Sequence, residues 1–411
     1  MKPVTRIINA RLRDRRDPVD IVIADGRIAS VAASARPGRP GPGKNVHRGT
    51  TIDAAGGLVL PSLFDNHLHL DLAHSVDAVP ENRSGTLLEA IGLWARAKAK
   101  MSPQDVCERA MRAIGEEVGF GTGYIRNHVD VGSTAGLRLC EGVLAARERM
   151  ADRVTIRLVT FPQDGVVRDP GAIDRMREAL KMGCDLVGGI PHFERTYQDS
   201  CRQIDMIFDL AEELDRDIDC HIDETDAPES RCVEYLAAKT IERGWQGRVS
   251  ASHVCALASY TDVHAKRVID SLAEAQITVV TNPQVNLHLQ GRFDTYPKRR
   301  GLTRVRQCLA AGVNVAMGQD CIRDPFYPFG TGAMLDVAHT LVHADHLAMP
   351  KQVESVADII TVNAAKSWHL GDYGIAKGNV ADLIVLPVDS VHEAIRLRPR
   401  PTAVVKGGRV V

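Results

Sequence analysis

The sequence predicts an α/β fold, a closed (β/α)8 barrel of the TIM type with a small β-sandwich domain formed by both chain termini. Its 411 residues suffice for a barrel of about 250 residues and a smaller module. After residue 58, short apolar segments alternate with amphipathic ones, which is typical of a parallel sheet covered by helices. Both ends of the chain instead contain short strand patterns separated by turns.

Eight segments of the central region have the composition of buried strands. They are Leu58 to Leu70, Tyr124 to Val131, Val154 to Gln163, Leu186 to Glu194, Ile218 to Glu224, Val249 to Leu257, Ile277 to Asn286 and Val313 to Ile322. Seven amphipathic segments separate them: Pro103 to Val118, Ala135 to Met150, Ala172 to Met182, Cys201 to Leu214, Ser230 to Arg243, Tyr260 to Ala275 and Thr303 to Ala311. Eight alternating units indicate a barrel, whose active site lies where the carboxyl ends of the strands meet.

The two ends of the chain predict one small β-domain. The N-terminal strands are Arg6 to Asn9, Val19 to Ile23 and Arg27 to Val31, with a turn at Asp25-Gly26 and a Pro/Gly-rich loop from Pro37 to Gly43. The tail has strand patterns at Ala381 to Pro387 and Thr402 to Val411, with a turn at Gly407-Gly408. We therefore expect residues 1–60 and 373–411 to form the β-domain, with the barrel, residues 61–372, inserted between its halves.

Composition limits the class of partner. The net charge is −1, from 51 basic and 52 acidic side chains, which argues against binding to nucleic acid or to an anionic membrane. The sequence has neither an apolar signal core near its start nor a run of about 18 apolar residues. Its 9 cysteines are scattered without a C-x-x-C motif, which argues against a disulfide framework. We expect a cytoplasmic protein that binds a small molecule.

Histidines and carboxylates follow several of the predicted strands. His67 and His69 end the first strand, and residues i and i+2 of a strand point to the same side, so both rings can reach one metal ion. Alone, the pair also fits two histidines that merely cap a strand. The other candidates lie at the carboxyl ends of the third, fourth, fifth, sixth and eighth strands: Gln163, His192, Glu194, His221, Glu224, His253 and Asp320. All of these ends meet at one mouth of a barrel.

This set of side chains favours hydrolysis at a metal centre. Three histidines and one carboxylate suit one zinc or iron ion with a position left for water. Such an ion lowers the pKa of its water toward neutrality. Glu224 lies three residues beyond His221, where a short turn can aim it at the substrate, to carry a proton to a leaving nitrogen.

The motifs resemble the amidohydrolase superfamily and, within it, the bacterial cytosine deaminases. The resemblance covers essentially the whole chain. Its motifs are His67-Leu-His-Leu-Asp71, Ser84-Gly-Thr-Leu87, Thr160-Phe-Pro-Gln163, Ile190-Pro-His-Phe-Glu194, His221-x-x-Glu224, Ser252-His253, Asn286 to Arg300, Asp320 and Asp324-Pro-Phe-Tyr-Pro328.

The resemblance implies hydrolytic deamination of a free pyrimidine base, cytosine or 5-methylcytosine, by a homo-oligomer that binds one Fe or Zn ion. The implied metal ligands are His67, His69, His221 and Asp320. Gln163 and the Leu87 backbone would hold the pyrimidine edge. Glu224 would protonate ring N3, while His253 and Asp320 orient and deprotonate the water that attacks C4. Ammonia and a uracil-type product would leave.

Two positions depart from the pattern of the cytosine deaminases. Cys321 stands where they have a second aspartate near the pyrimidine C5 edge, so we expect a less polar wall that accepts a C5 methyl group. The alternative is that Cys321 only packs, as buried thiols often do. Phe326 stands where they have tryptophan, which keeps a ring for stacking but removes an indole N–H donor.

Three alternative functions stay open at this point. A related enzyme could deaminate another heterocycle, such as isoguanine, a pterin, a triazine or creatinine, through the same metal site. A cyclic-amide hydrolase with two metals needs a carboxylated lysine, and the fourth strand offers His192 and Glu194 but no lysine. A non-catalytic scaffold would keep the metal for structure, yet such a site normally fills its coordination sphere with protein ligands.

Overall fold

The computed structural model describes residues 1–34 and 49–411, so the predicted loop from Pro37 to Gly43 lies outside the described residues. Eight strands pair in chain order in one parallel sheet. They are β6 (Leu63–Leu68), β7 (Thr122–Asp130), β8 (Thr155–Phe161), β9 (Leu186–Gly189), β10 (Ile218–Ile222), β11 (Val249–His253), β12 (Thr278–Thr281) and β13 (Val315–Met317). A bridge between Leu68 and Asp320 connects the ends of β6 and β13. The predicted TIM-type barrel is confirmed.

Helices surround the barrel strands. They are α1 (Leu87–Lys98), α2 (Pro103–Gly119), α3 (Arg138–Arg149), α4 (Ala172–Met182), α5 (Tyr197–Leu214), α6 (Cys232–Glu242), α7 (Asp262–Glu274), α8 (Pro283–Leu289), α9 (Val305–Ala310), α10 (Met334–Ala344), α11 (Pro350–Ile359), α12 (Val362–Ser367) and α13 (Val391–Leu397). Helix α2 begins where the Ser102 hydroxyl accepts the Asp105 N–H at 3.2 Å, with proline in the first turn, as helix starts favour. Within the described ranges, no helix combines the length and apolarity needed to cross a bilayer.

Two further four-stranded sheets come from the chain termini. One joins β1 (Val4–Ala10), β2 (Val19–Ala24), β3 (Arg27–Ala33) and β4 (Thr50–Asp53), and the other joins β5 (Leu58–Pro61), β14 (Leu383–Leu386), β15 (Ala403–Lys406) and β16 (Arg409–Val410). Apolar side chains from both sheets, among them Ile7, Val59 and Leu383, share one buried cluster. Both termini thus contribute strands to a small β-structure beside the barrel, as predicted. Its exact boundaries, 1–60 and 373–411, stay a prediction.

The prediction of a single strand from Leu58 to Leu70 is wrong. Leu58–Pro61 pairs antiparallel with β14 in the terminal sheet, whereas Leu63–Leu68 is the first barrel strand. Ser62 separates them, and its N–H donates to the Asp382 carbonyl at 2.9 Å. Both halves are buried almost throughout, so apolar composition does not distinguish them.

Several other predicted strands are shorter than expected. The segment from Leu186 to Glu194 is extended only to Gly189, and the segment from Val249 to Leu257 only to His253. Beyond Thr281, the predicted seventh strand continues into α8 instead. In each case the chain turns at the carboxyl end of a barrel strand, where the candidate functional side chains lie.

Candidate active site

A cavity of about 540 Å³ lies at the carboxyl ends of the barrel strands, within the usual range of about 300–1,000 Å³ for small-molecule sites. Nearly all of the predicted functional side chains line it. These are His69, Leu87, Gln163, His221, Glu224, His253, Asp320, Cys321 and Phe326. His67 is fully buried and is not among the lining residues, so it lies beneath the pocket floor.

The predicted metal ligands lie close together. The Nε2 atoms of His69 and His221 are 3.0 Å apart. Asp320 Oδ1 lies 3.6 Å from Nε2 of both His67 and His69. Ligand atoms that surround one ion at about 2.0–2.2 Å are separated by about 3–4 Å. These distances therefore fit a shared divalent ion.

Two groups of three side chains each have ligand atoms within 4.8 Å of one another. One contains His67, His253 and Asp320, and the other contains His67, His128 and His221. His69 is in neither group and joins them through its contacts with His221 and Asp320. The centre is thus a cluster of five imidazoles and one carboxylate, larger than the four ligands predicted from the sequence.

The protonation state of the imidazoles suits a metal centre. Burial lowers the pKa of His67 and His221 well below the ordinary value, helped by the neighbouring rings, and burial lowers the pKa of His69 to about 4. Neutral imidazole is the form that binds metals. Both nitrogens of His67 and Nδ1 of His69 and His221 are buried without a hydrogen-bond partner among the described residues. The residues fit a divalent cation.

His128 is the residue that the sequence interpretation missed. It lies on β7, with its ring centroid 4.1 Å from that of His67 and 4.8 Å from that of His221. Arg126, His128 and Asp130 alternate along a strand whose nine residues are all buried. Three polar residues at i, i+2 and i+4 of a buried strand share one face, and this spacing was the available signal.

Glu224 lies next to this cluster, beside its member His253. Burial raises the pKa of Glu224 to about 8, so its acid form predominates at neutral pH. His253 Nδ1 lies 3.6 Å from Glu224 Oε1 and 3.9 Å from Asp320 Oδ2, and it accepts the Asn286 Nδ2–H at 3.0 Å. His253 and Asp320 have positive φ angles of 72° and 70°, a strain of about 1–3 kcal/mol each that is typical of functional sites.

The remaining predicted residues form the pocket walls. Leu87 is the first residue of α1, after the Thr86 cap, and the N–H groups of a first helical turn have no partner within the helix. Phe326 is fixed because Asp324 Oδ1 accepts its N–H at 2.9 Å. The Cys321 thiol lies 3.7 Å from Asp320 Oδ1. Burial raises the pKa of this thiol well above its ordinary value, so it is uncharged.

A buried lysine anchors the helix that carries Leu87. Lys98, at the last turn of α1, is fully buried. Its Nζ donates to Asp130 at 2.8 Å and to Asp164 at 2.9 Å. Asp130 ends β7, and Asp164 directly follows Gln163. This lysine therefore connects the leucine wall of the pocket to two strand ends.

Comparison with known proteins identifies the family. Residues 50–411 match the amidohydrolase family. The structure of a 5-methylcytosine deaminase from Klebsiella pneumoniae liganded with 5-fluorocytosine is similar, with a TM-score of 0.94 and 37% identity over 99% of this chain and 97% of that one. These similarities confirm the resemblance to the amidohydrolase superfamily and its cytosine-deaminase-like branch.

Two similar proteins have names that give substrates other than a cytosine. The N-isopropylammelide isopropyl amidohydrolase of Pseudomonas sp. (strain ADP) is 30% identical over 98% of this chain and 96% of its own. The pterin deaminase of Rhizobium rhizogenes is 30% identical over 95% of this chain and 87% of its own. The prediction of a hydrolase acting on C–N bonds is confirmed. The chain belongs to the amidohydrolase family.

Proposed function

We propose that this protein hydrolytically deaminates a free pyrimidine base, 5-methylcytosine in preference to cytosine, with one divalent ion, Fe or Zn. The observation that carries the proposal is Cys321 in the pocket wall beside Asp320. Gln163 and the first N–H of α1 at Leu87 supply polar groups for the ring edge. Similarity to a 5-methylcytosine deaminase supports the same substrate class.

His67, His69, His221 and Asp320 are the proposed ligands. The chemistry that a divalent ion supplies here is Lewis acidity, which brings the pKa of water toward neutrality. Asn286 donates to His253 Nδ1, so the neutral His253 ring carries its proton on Nε2. We assign the His253 ring, whose Nδ1 lies 3.9 Å from Asp320 Oδ2, to orienting the water, while the Asp320 carboxylate accepts the proton of the water.

Glu224 is the proposed proton carrier. Its raised pKa keeps it protonated at pH 7, so it donates to ring N3 as the water oxygen bonds to C4. Asp320 passes the proton that it accepted from the water to the amino group, the C4–N bond breaks, and ammonia leaves. The second water proton, left on the oxygen bonded to C4, returns to Glu224, so uracil or thymine is the second product and both protons of the water are accounted for.

Cys321 determines the preference at C5 in this proposal. A charged aspartate at this position would lose favourable hydration when a methyl group enters, and the neutral thiol avoids that cost. One methyl group in a fitting hydrophobic pocket contributes about 1–3 kcal/mol. We therefore expect kcat/KM for 5-methylcytosine to exceed that for cytosine by about 10- to 100-fold.

An ammonia-release assay tests this proposal on wild type, Cys321→Asp and the size-matched control Cys321→Ser. Cys321→Asp is expected to reverse the preference, whereas Cys321→Ser retains it. Wild-type protein that ignores 5-methylcytosine but deaminates cytosine would overturn the role of Cys321. Metal analysis of the same preparations distinguishes Fe from Zn.

A larger heterocycle is the second candidate substrate. The cavity of about 540 Å³ exceeds what a single pyrimidine ring fills, and one relative is a pterin deaminase. The same assay with pterin, isoguanine and creatinine decides between the candidates. Turnover of pterin alone would replace the pyrimidine proposal.

A further inference from the structure

We propose that Glu194 is a positioning residue that holds Gln163 in the orientation needed to bind the substrate ring. This inference rests on the proposed function, in which the Gln163 side chain contacts the ring edge. Gln163 lines the pocket, whereas Glu194 is not among the lining residues. Glu194 therefore acts through the loop that carries Gln163.

Gln163 occupies a tight turn at the end of β8. The Gly165 N–H donates to the Pro162 carbonyl oxygen at 2.8 Å, so Gln163 and Asp164 are the two central residues of the turn. A Cβ added to Gly165 would lie 3.0 Å from Glu194 Oε1, which shows that the turn packs directly against this carboxylate. The direction of the Gln163 side chain depends on how the two sides of the turn are held.

Glu194 holds the segment that leaves the turn. Its Oε1 accepts the N–H groups of Val166 at 2.7 Å and Val167 at 2.8 Å, and its Oε2 accepts that of Arg168 at 3.1 Å. Hydrogen bonds to a charged acceptor are stronger than those between neutral groups. Three successive backbone N–H groups thus fix the path of the loop shortly after Gln163.

The turn is held on its other side by the buried lysine of α1. Lys98 Nζ donates to the Asp164 carboxylate at 2.9 Å. Without Glu194, the turn that carries Gln163 would keep this ion pair but would lose the contacts that fix the following segment.

Glu194 is itself fixed in place. It follows a 3-10 turn (Pro191–Phe193) beyond β9. Gln203 of α5 is fully buried, its Nε2 donates to Glu194 Oε1, and its Oε1 accepts the Ile190 N–H at 2.7 Å. His192 of the same segment also lines the pocket. The Glu194 carboxylate therefore joins the pocket wall that follows β9 to the wall that follows β8.

A double-mutant cycle with Gln163 tests the proposal. Glu194→Gln keeps the size of the side chain but replaces one oxygen with an NH2 group that faces other donors. We expect KM to rise about 3- to 10-fold, which corresponds to the loss of one hydrogen bond to the ring. We expect kcat to stay within about threefold, because the groups that react are unchanged. In a Gln163→Ala background the same substitution should raise KM no further, since its effect passes through Gln163. A full additional rise in KM in that background would overturn the proposal.

Hydrogen exchange gives a second measurement, made without substrate. The amides of residues 166–168 should exchange at least about tenfold faster in Glu194→Gln than in wild type, because their acceptor is weakened. Glu194→Asp, which retains both oxygens, should fall between the two. The matched control is Glu213→Gln, since Glu213 bonds to Arg177 outside the pocket. Unchanged exchange at residues 166–168 in a folded Glu194→Gln protein would refute the proposal.

The two measurements separate this inference from the proposed function. Wild-type protein that turns over no pyrimidine contradicts the proposed function, while exchange at residues 166–168 still decides whether Glu194 holds the loop. Active pyrimidine deamination with unchanged exchange, or with additive effects on KM, contradicts only this inference.

Discussion

Replacement of Gly318 by alanine is expected to displace His67, one of the proposed metal ligands. Gly318 follows β13 and lies between the ends of β6 and β13. A Cβ added there would meet the Cβ of His67 and would lie 2.6 Å from the His67 carbonyl oxygen and 2.8 Å from Asn282 Oδ1. The contact with the carbonyl is about 0.9 Å shorter than an optimal van der Waals contact. Because that neighbour is backbone, it cannot rotate away, so the two strand ends must move apart.

This displacement lies where the barrel closes. The Asp320 N–H donates to the His67 carbonyl at 2.6 Å, and the His69 N–H donates to the Asp320 carbonyl at 3.0 Å. Overpacking of this kind costs about 1–3 kcal/mol of stability. A shift of about 1 Å in reacting groups costs about 100-fold in rate. We therefore expect Gly318→Ala to lose both stability and most of its kcat/KM, with weaker zinc binding.

The assay compares Gly318→Ala with Gly115→Ala by chemical denaturation, chelator competition and ammonia release. Gly115 is in α2 with nothing within 4 Å of an added Cβ, so its replacement should stabilise the helix by up to about 1 kcal/mol and leave activity unchanged. If Gly318→Ala matched wild type within twofold in kcat/KM and zinc affinity, the packing between the ends of β6 and β13 would not determine where the proposed metal ligands lie.

Three further predictions concern the site and its support. Lys98→Met leaves the fully buried Asp130 carboxylate without its cation and should lower the unfolding free energy by about 3–5 kcal/mol. The double variant Lys98→Met with Asp130→Asn should recover part of this loss. If it recovers none, Lys98 and Asp130 do not stabilise the protein as an ion pair. Dialysis against a chelator should abolish deamination, and added zinc or iron should restore it; turnover that survives complete metal removal would exclude the proposed mechanism. Burial raises the pKa of Glu224 to about 8, so its acid form is present at neutral pH and is lost as the pH rises. We therefore expect kcat/KM to decline through about pH 8. A profile that is flat to pH 10 would count against Glu224 as the proton donor.

The barrel and most of the pocket were predictable because they depend on local patterns. Short apolar segments with polar residues at their carboxyl ends indicate both the strands and the side chains at the mouth. His67, His221 and Asp320 were found this way, and the structure places them in one cluster. Their roles, like the homo-oligomer, stay predictions.

Other features depend on contacts that sequence spacing does not show. The break at Ser62 was missed because β5 and β6 are equally apolar, and only pairing with β14 assigns the first of them to another sheet. His128 was missed because it lies inside a strand rather than at its end. The first turn of α8 was absorbed into the predicted seventh strand, although the polar residues Asn282 and Gln284 already end the apolar run after Thr281.

The pairing of β5 with β14 also constrains when the molecule can finish folding. These strands are neighbours in the sheet but are separated along the chain by the whole barrel. At about 5–20 residues per second, a ribosome needs roughly half a minute to deliver the second strand after the first. The nascent chain must therefore keep the apolar edge of Leu58–Pro61 out of wrong pairings during that time, and formation of this sheet reports that synthesis of the barrel is complete.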